Sequence, residues 1–129
     1  MTPKTILIVE DSLPVRDFIE TSVLRPAGFA TLVAGDGNEG LKIAREARPD
    51  LIVTDFHLPE MDGLAMVRQL RAERRCPPVI LVTVEPSSAL AGEARQAGVV
   101  EYLVKPFVAD DLLAAVNRAL GMEKMKAPG

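Results

Sequence analysis

Five short apolar runs, rich in β-branched residues and separated by segments of helical periodicity, constrain this chain more than any other feature. They are Thr5 to Val9 (TILIV), Ala30 to Ala34 (ATLVA), Leu51 to Thr54 (LIVT), Val79 to Val84 (VILVTV) and Glu101 to Val104 (EYLV). An unbroken apolar run such as TILIV suits a strand covered on both faces, as strands of parallel sheets are. Parallel neighbours need crossovers, and right-handed helical crossovers lay helices over both faces of the sheet. The pattern predicts an α/β fold: a doubly wound, five-stranded parallel sheet flanked by five helices.

The helical segments carry their own punctuation. Ser12 with Pro14, Asn38 ahead of Glu39 and Leu41, and Pro86 with Ser87 read as helix starts. Pro26 and Gly28 end the first helix, Pro49 follows the second, Gly98 closes the fourth and Gly121 the fifth. Val15, Phe18, Ile19 and Val23 share one face of the first helix, and Leu112, Leu113, Val116 and Leu120 share one face of the last. Both stripes read as core.

With 129 residues, 48% of them hydrophobic, the chain suits one domain with one sizeable core. The expected division is a domain over residues 1–121 and a frayed tail over residues 122–129. Fifteen basic and 18 acidic residues leave a net charge of -3, which offers no electrostatic footprint for nucleic acid. A single cysteine, Cys76, precludes an internal disulfide. Its flanking arginines and prolines notwithstanding, it reads as a small structural residue near a strand entrance. The first apolar run stops at Glu10, too short for a signal peptide or a membrane span, so a cytoplasmic location is expected.

In open α/β sheets, ligands bind beyond the carboxyl ends of the strands near the switch in strand order. Glu10 and Asp11 follow the first run, Asp55 ends the third, Thr83 stands at the end of the fourth, and Lys105 and Pro106 follow the fifth. Three carboxylates at one edge repel one another unless a cation sits among them or a proton is taken up. Hard oxygen ligands without histidine or cysteine favour Mg2+. A metal and Lys105 would surround Asp55 with positive charge, as a carboxylate needs if it is to attack a phosphoryl group.

The stretches ILIVEDS (6–12), DFHLPEMDG (55–63), VTV (82–84) and YLVKPF (102–107) resemble the receiver domains of bacterial two-component response regulators, the CheY-like family. The likeness runs from about Lys4 to about Leu120. It implies a flavodoxin-like strand order of 2-1-3-4-5. It further implies Asp55 as phosphoacceptor, with Glu10, Asp11, Asp55 and the backbone carbonyl of His57 as ligands of Mg2+. Lys105 would contact the phosphoryl oxygens, with either isomer open for the Lys105–Pro106 bond. Thr83 and Tyr102 would form the switch that biases a surface of the fourth helix, fifth strand and fifth helix. The implied partners are a sensor histidine kinase or histidine phosphotransferase and a downstream protein effector, with Leu90, Val99, Tyr102 and Pro106 on the docking surface. The implied chain is a switch that catalyses only its own phosphorylation and dephosphorylation, binds no nucleic acid directly, enters no membrane, and could dimerise on phosphorylation.

Two positions depart from the family pattern. Glu10 replaces one aspartate of the usual acidic pair, keeping the charge on a longer arm. Val84 stands where a smaller residue is usual and is expected to crowd the approach to Asp55. The lone histidine, His57, reads as a solvent-facing loop residue in its side chain. Among rival readings, a haloacid dehalogenase-type phosphatase needs a second aspartate where His57 stands. A mononucleotide-binding module needs glycines where the chain has EDSLP, an acidic turn that would repel a phosphate. A receiver-shaped binding module that ignores phosphate is opposed by the intact Glu10, Asp11, Asp55, Thr83 and Lys105. Nothing after Leu120 reads as a DNA-binding or catalytic output segment.

Overall fold

The computed structural model describes residues 2–84 and 87–121; Pro86 and residues 122–129, named above, lie outside them. The strands are β1 (Thr5–Val9), β2 (Ala30–Ala34), β3 (Leu51–Asp55), β4 (Val79–Thr83) and β5 (Glu101–Val104). They form one parallel sheet in the order β2-β1-β3-β4-β5. The helices are α1 (Leu13–Asp17), which continues as a π-helix (Phe18–Leu24), then α2 (Gly37–Ala47), α3 (Gly63–Ala72), α4 (Ser88–Gln96) and α5 (Ala109–Ala119).

Side chains alternate across the pleat, and here both faces are covered. Leu7, Val9, Ile52, Val79 and Leu81 pack with Leu41, Ala44, Leu64, Met66, Val67 and Leu70 of α2 and α3, and with Ala94 of α4. Ile6, Ile8, Leu51, Val53, Ile80 and Val82 pack on the other face with Ile19, Val23 and Leu24 of the π-helix and Leu112, Ala115 and Val116 of α5. β3 and β4 are buried from end to end, β1 in all but its first residue. The edge strands β2 and β5 are mostly half-buried. Among the described residues no helix is long and apolar enough to cross a membrane.

Three helix details differ from the sequence expectation. The first helix widens to π geometry after Asp17, with the Arg25 amide donating to the Glu20 carbonyl. Propensity carries no signal for that widening. Phe18 is not core: it is 36% exposed and tilts against Phe107 with ring centroids 6.3 Å apart. The cap of α2 is Asp36, not Asn38; its carboxylate accepts the Glu39 amide at 2.7 Å. Ser87 caps α4 as expected, accepting the Leu90 amide at 2.9 Å. The left-handed glycines Gly28, Gly98 and Gly121 fall at the predicted stops, while Arg48 takes the left-handed turn ahead of Pro49.

The cap assignment is directly testable. Asp36→Ala should destabilise the fold by about 1 kcal/mol, the usual cost of a lost N-cap. Asn38→Ala should cost far less, and urea unfolding of the two variants compares them.

Candidate functional site

Parallel strands end at one edge, so the residues that follow them meet there. The register sets Val9 of β1 beside Thr54 of β3, Asp55 beside Val82 of β4, and Thr83 beside Val104 of β5. Glu10 is held at the rim where its amide donates to the Ala34 carbonyl (3.0 Å) and its Oε2 accepts the Ser12 amide (3.0 Å). Lys105 is tied to β4 through its amide, which donates to the Thr83 carbonyl at 2.8 Å. The Lys105–Pro106 bond is cis.

At the centre, one ammonium serves two carboxylates. Lys105 Nζ donates to Glu10 Oε1 and to Asp55 Oδ2, both at 2.8 Å. Glu10 and Asp55 are buried, at 2% and 7% exposure, whereas Asp11 is exposed. Glu10, Asp11 and Asp55 each offer an oxygen within 4.8 Å of the others. Asp55 Oδ1 also accepts the His57 amide at 3.3 Å.

The charges do not balance locally. Burial pushes the Glu10 carboxyl above its ordinary value, and its bonds from Lys105 and the Ser12 amide only partly offset that. For Lys105, burial acts to lower the pKa, but the hydrogen bonds it donates to Asp55 and Glu10 outweigh it and leave the ammonium firmly charged. One shared cation satisfies itself twice and each anion by half. A group of three hard oxygen donors with a residual excess of negative charge fits a small divalent cation such as Mg2+.

The loop 56–62 leaves the site and enters α3 under tight constraint. The Gly63 amide donates to the Phe56 carbonyl (2.9 Å), and a Cβ on Gly63 would lie 2.3 Å from the Asp55 carbonyl oxygen. Only glycine admits that approach. The requirement was latent in the Asp62–Gly63 pair, but its partner could not be read from sequence. The His57 side chain is exposed and meets Phe56 edge-on, as a loop histidine without a ligand role would.

Thr83 is fully buried at the end of β4, one strand away from Asp55. Tyr102, the second residue of β5, packs partly buried on the α2–α3 side of the sheet; its hydroxyl is buried with no hydrogen-bond partner among the described residues. Leu90 and Val99 are likewise half-buried there, and Pro106 is exposed. Val84 is 55% exposed and lines, with Pro14, Val15, Phe18, Pro106 and Phe107, an apolar cleft of about 430 Å³ that Lys105 borders. Cys76 is half-buried at the opposite end of β4, its thiol pushed up by burial, and takes no part in the site.

The sequence profile of the response regulator receiver domain matches residues 6–117. The chain is 36% identical over 121 residues to the regulatory protein AtoC of Escherichia coli, covering 94% of this chain and 26% of AtoC. It is 36% identical over 115 residues to the DNA-binding response regulator MtrA of Mycobacterium tuberculosis, covering 89% of this chain and 50% of MtrA. The chain thus spans between a quarter and a half of these curated relatives. Among solved structures, the chemotaxis response regulator CheY4 of Vibrio cholerae superposes with a TM-score of 0.85 at 33% identity, covering 92% of this chain and all (100%) of that one.

The electrostatic imbalance has a measurable sign. A carboxyl whose folded pKa lies above the usual 4.5 opposes folding when ionised; that penalty is absent below 4.5 and grows as pH rises through the folded value. In EDTA at neutral pH, Glu10→Gln should therefore melt above the parent, and the difference should shrink on acidification toward 4.5. Thermal melts across that window check it.

Proposed function

The chain belongs to the response regulator receiver domain family, and on that premise we propose that it accepts a phosphoryl group on Asp55 in an Mg2+-dependent reaction. The observation that carries the reading is the shared ammonium: Lys105 bridging Glu10 and Asp55 at 2.8 Å each, beside the exposed Asp11. Glu10, Asp11 and Asp55 would hold Mg2+ through their carboxylates, with the backbone carbonyl of His57 completing the protein ligands. The bound metal would neutralise charge on the incoming phosphoryl oxygens.

The chain's own groups do the rest. An Asp55 carboxylate oxygen attacks phosphorus as the bond to the donor breaks, the donor being a phosphohistidine on a sensor kinase or phosphotransferase. Lys105 leaves Asp55 and follows the negative charge onto the transferred group, which keeps a cation within hydrogen-bond reach throughout. Thr83, one strand away, supplies the hydroxyl that turns toward the phosphoryl group. Tyr102 supplies the second half of the switch. A buried hydroxyl without a partner costs about 1–3 kcal/mol, so the orientation of Tyr102 is open to displacement by small changes nearby. The two would bias the surface of α4, β5 and α5 toward a downstream protein effector, with dimerisation as one outlet.

On this reading the chain is a cytoplasmic signalling switch and not a turnover enzyme, its receiver unit ending near residue 121. It catalyses only the gain and loss of its own phosphoryl group.

Incubation with acetyl phosphate and Mg2+ should add the mass of one phosphoryl group to the intact parent and none to Asp55→Asn. An unmodified parent would replace this reading with a receiver-shaped binding module. Val84→Ala, which opens the cleft beside Lys105, should both gain and lose the adduct faster than the parent in a time course. Equal rates would remove Val84 as a barrier.

A further inference from the structure

One carbonyl of the loop 56–62 is wedged against a helix that sequence reading never connected to the site. A Cβ built on Gly37, the first residue of α2, would lie 2.1 Å from the Met61 carbonyl oxygen, 2.8 Å from Met61 Cβ and 2.9 Å from the Met61 carbonyl carbon. Even a weak carbon-to-oxygen contact needs about 3.3 Å. The offending atoms are mainly backbone, so no change of rotamer relieves them.

Neither side of this contact has slack. The first turn of α2 is fixed by the Asp36 cap and by Glu39, whose Oε1 accepts the Gly35 amide at 2.7 Å. Behind it, Leu41 and Ala44 are locked in the core. On the loop side, Gly63 lies against the Asp55 carbonyl, the Met61 amide donates to the Pro59 carbonyl at 2.7 Å, and the Met61 side chain packs on the core. Glu60 between them is already left-handed, at φ 70. A push on Met61 therefore travels back along a short, tight loop toward His57 and Asp55.

We infer that Gly37 is a positioning residue for the metal: from α2 it fixes where the backbone of Met61 rests, and through the loop it sets the His57 carbonyl relative to Asp55. This rests on the reading of Glu10, Asp11, Asp55 and the His57 carbonyl as an Mg2+ site. Gly40, one turn along the same helix, provides the contrast. Its added Cβ would meet Met66 Sδ at 2.8 Å and Val9 methyls at 3.0 and 3.2 Å, which are side-chain atoms that can repack without moving the loop.

Calorimetric titration of Mg2+ into the parent, Gly37→Ala, Gly40→Ala and Asp36→Ala, each with a melting curve, tests the inference. Gly37→Ala should weaken Mg2+ binding about tenfold or more, as loss of support behind metal ligands does. Gly40→Ala should melt lower yet bind Mg2+ like the parent. Asp36→Ala, which loosens the first turn of α2, should weaken binding in the same direction by a smaller factor. That variant decides the matter if Gly37→Ala does not fold. Parent-like affinity in a folded Gly37→Ala, or in Asp36→Ala when that variant must decide, overturns the role of Gly37 and leaves the metal site standing. A parent that binds no Mg2+ overturns the metal site, and the inference with it.

Discussion

A single ammonium divided between two buried carboxylates governs this structure. Lys105 reaches Glu10 from the end of β1 and Asp55 from the end of β3, so one side chain from the rim of β5 closes the switch point of the sheet. The pairing is deliberately short of charge: three carboxylates face one cation. Burial, with a smaller push from Asp55, raises the Glu10 pKa, while the two carboxylates hold Lys105 charged against its own burial. Removing the ammonium would leave two nearly buried anions facing each other, a costly arrangement in a poorly solvated pocket. Keeping it leaves two of the three negative charges unmatched, which is the charge one divalent cation supplies.

The scaffold is built to hold this imbalance. β3 and β4 are buried along their whole length and β1 along all but its first residue, which fixes the height of each strand end at the rim. Register does the rest, placing Asp55 beside Val82 and Thr83 beside Val104. The connections supply the remaining precision through backbone contacts. Gly63 admits the Asp55 carbonyl, and Gly37 admits that of Met61. A rigid core thus sets the anions, and close-packed loops set the atoms around them.

Much of this was legible in the amino-acid order. Strand bounds followed from unbroken apolar runs, because a strand covered on both faces has no polar alternation to confuse the reading. The meeting of Glu10, Asp11, Asp55 and Lys105 at one edge followed too, since each stands at the end of such a run, and parallel strands bring those ends together. What failed was local detail decided by tertiary contact. Phe18 has the spacing of a core residue, yet the π-helical widening after Asp17 and a neighbour in Phe107 leave it at the surface. Asp36 caps α2 in place of Asn38 because the chain enters the helix two residues earlier than its polarity suggests. The contact of Gly37 with Met61 joins segments far apart in the chain and leaves no trace in composition. The buried hydroxyl of Tyr102 is equally invisible, since an aromatic in a strand gives no hint of whether its polar end finds a partner.

The central claim is that the rim accepts an anion only when a divalent cation and Lys105 together neutralise it. A crystal structure with Mg2+ and beryllium fluoride, a mimic of the phosphoryl group, tests that claim most directly. The account predicts fluoride density on Asp55, the ion ligated by Glu10, Asp11 and Asp55, and Lys105 Nζ moved onto fluorine. A pocket with neither ion nor fluoride, its ammonium still bridging Glu10 and Asp55, would contradict it.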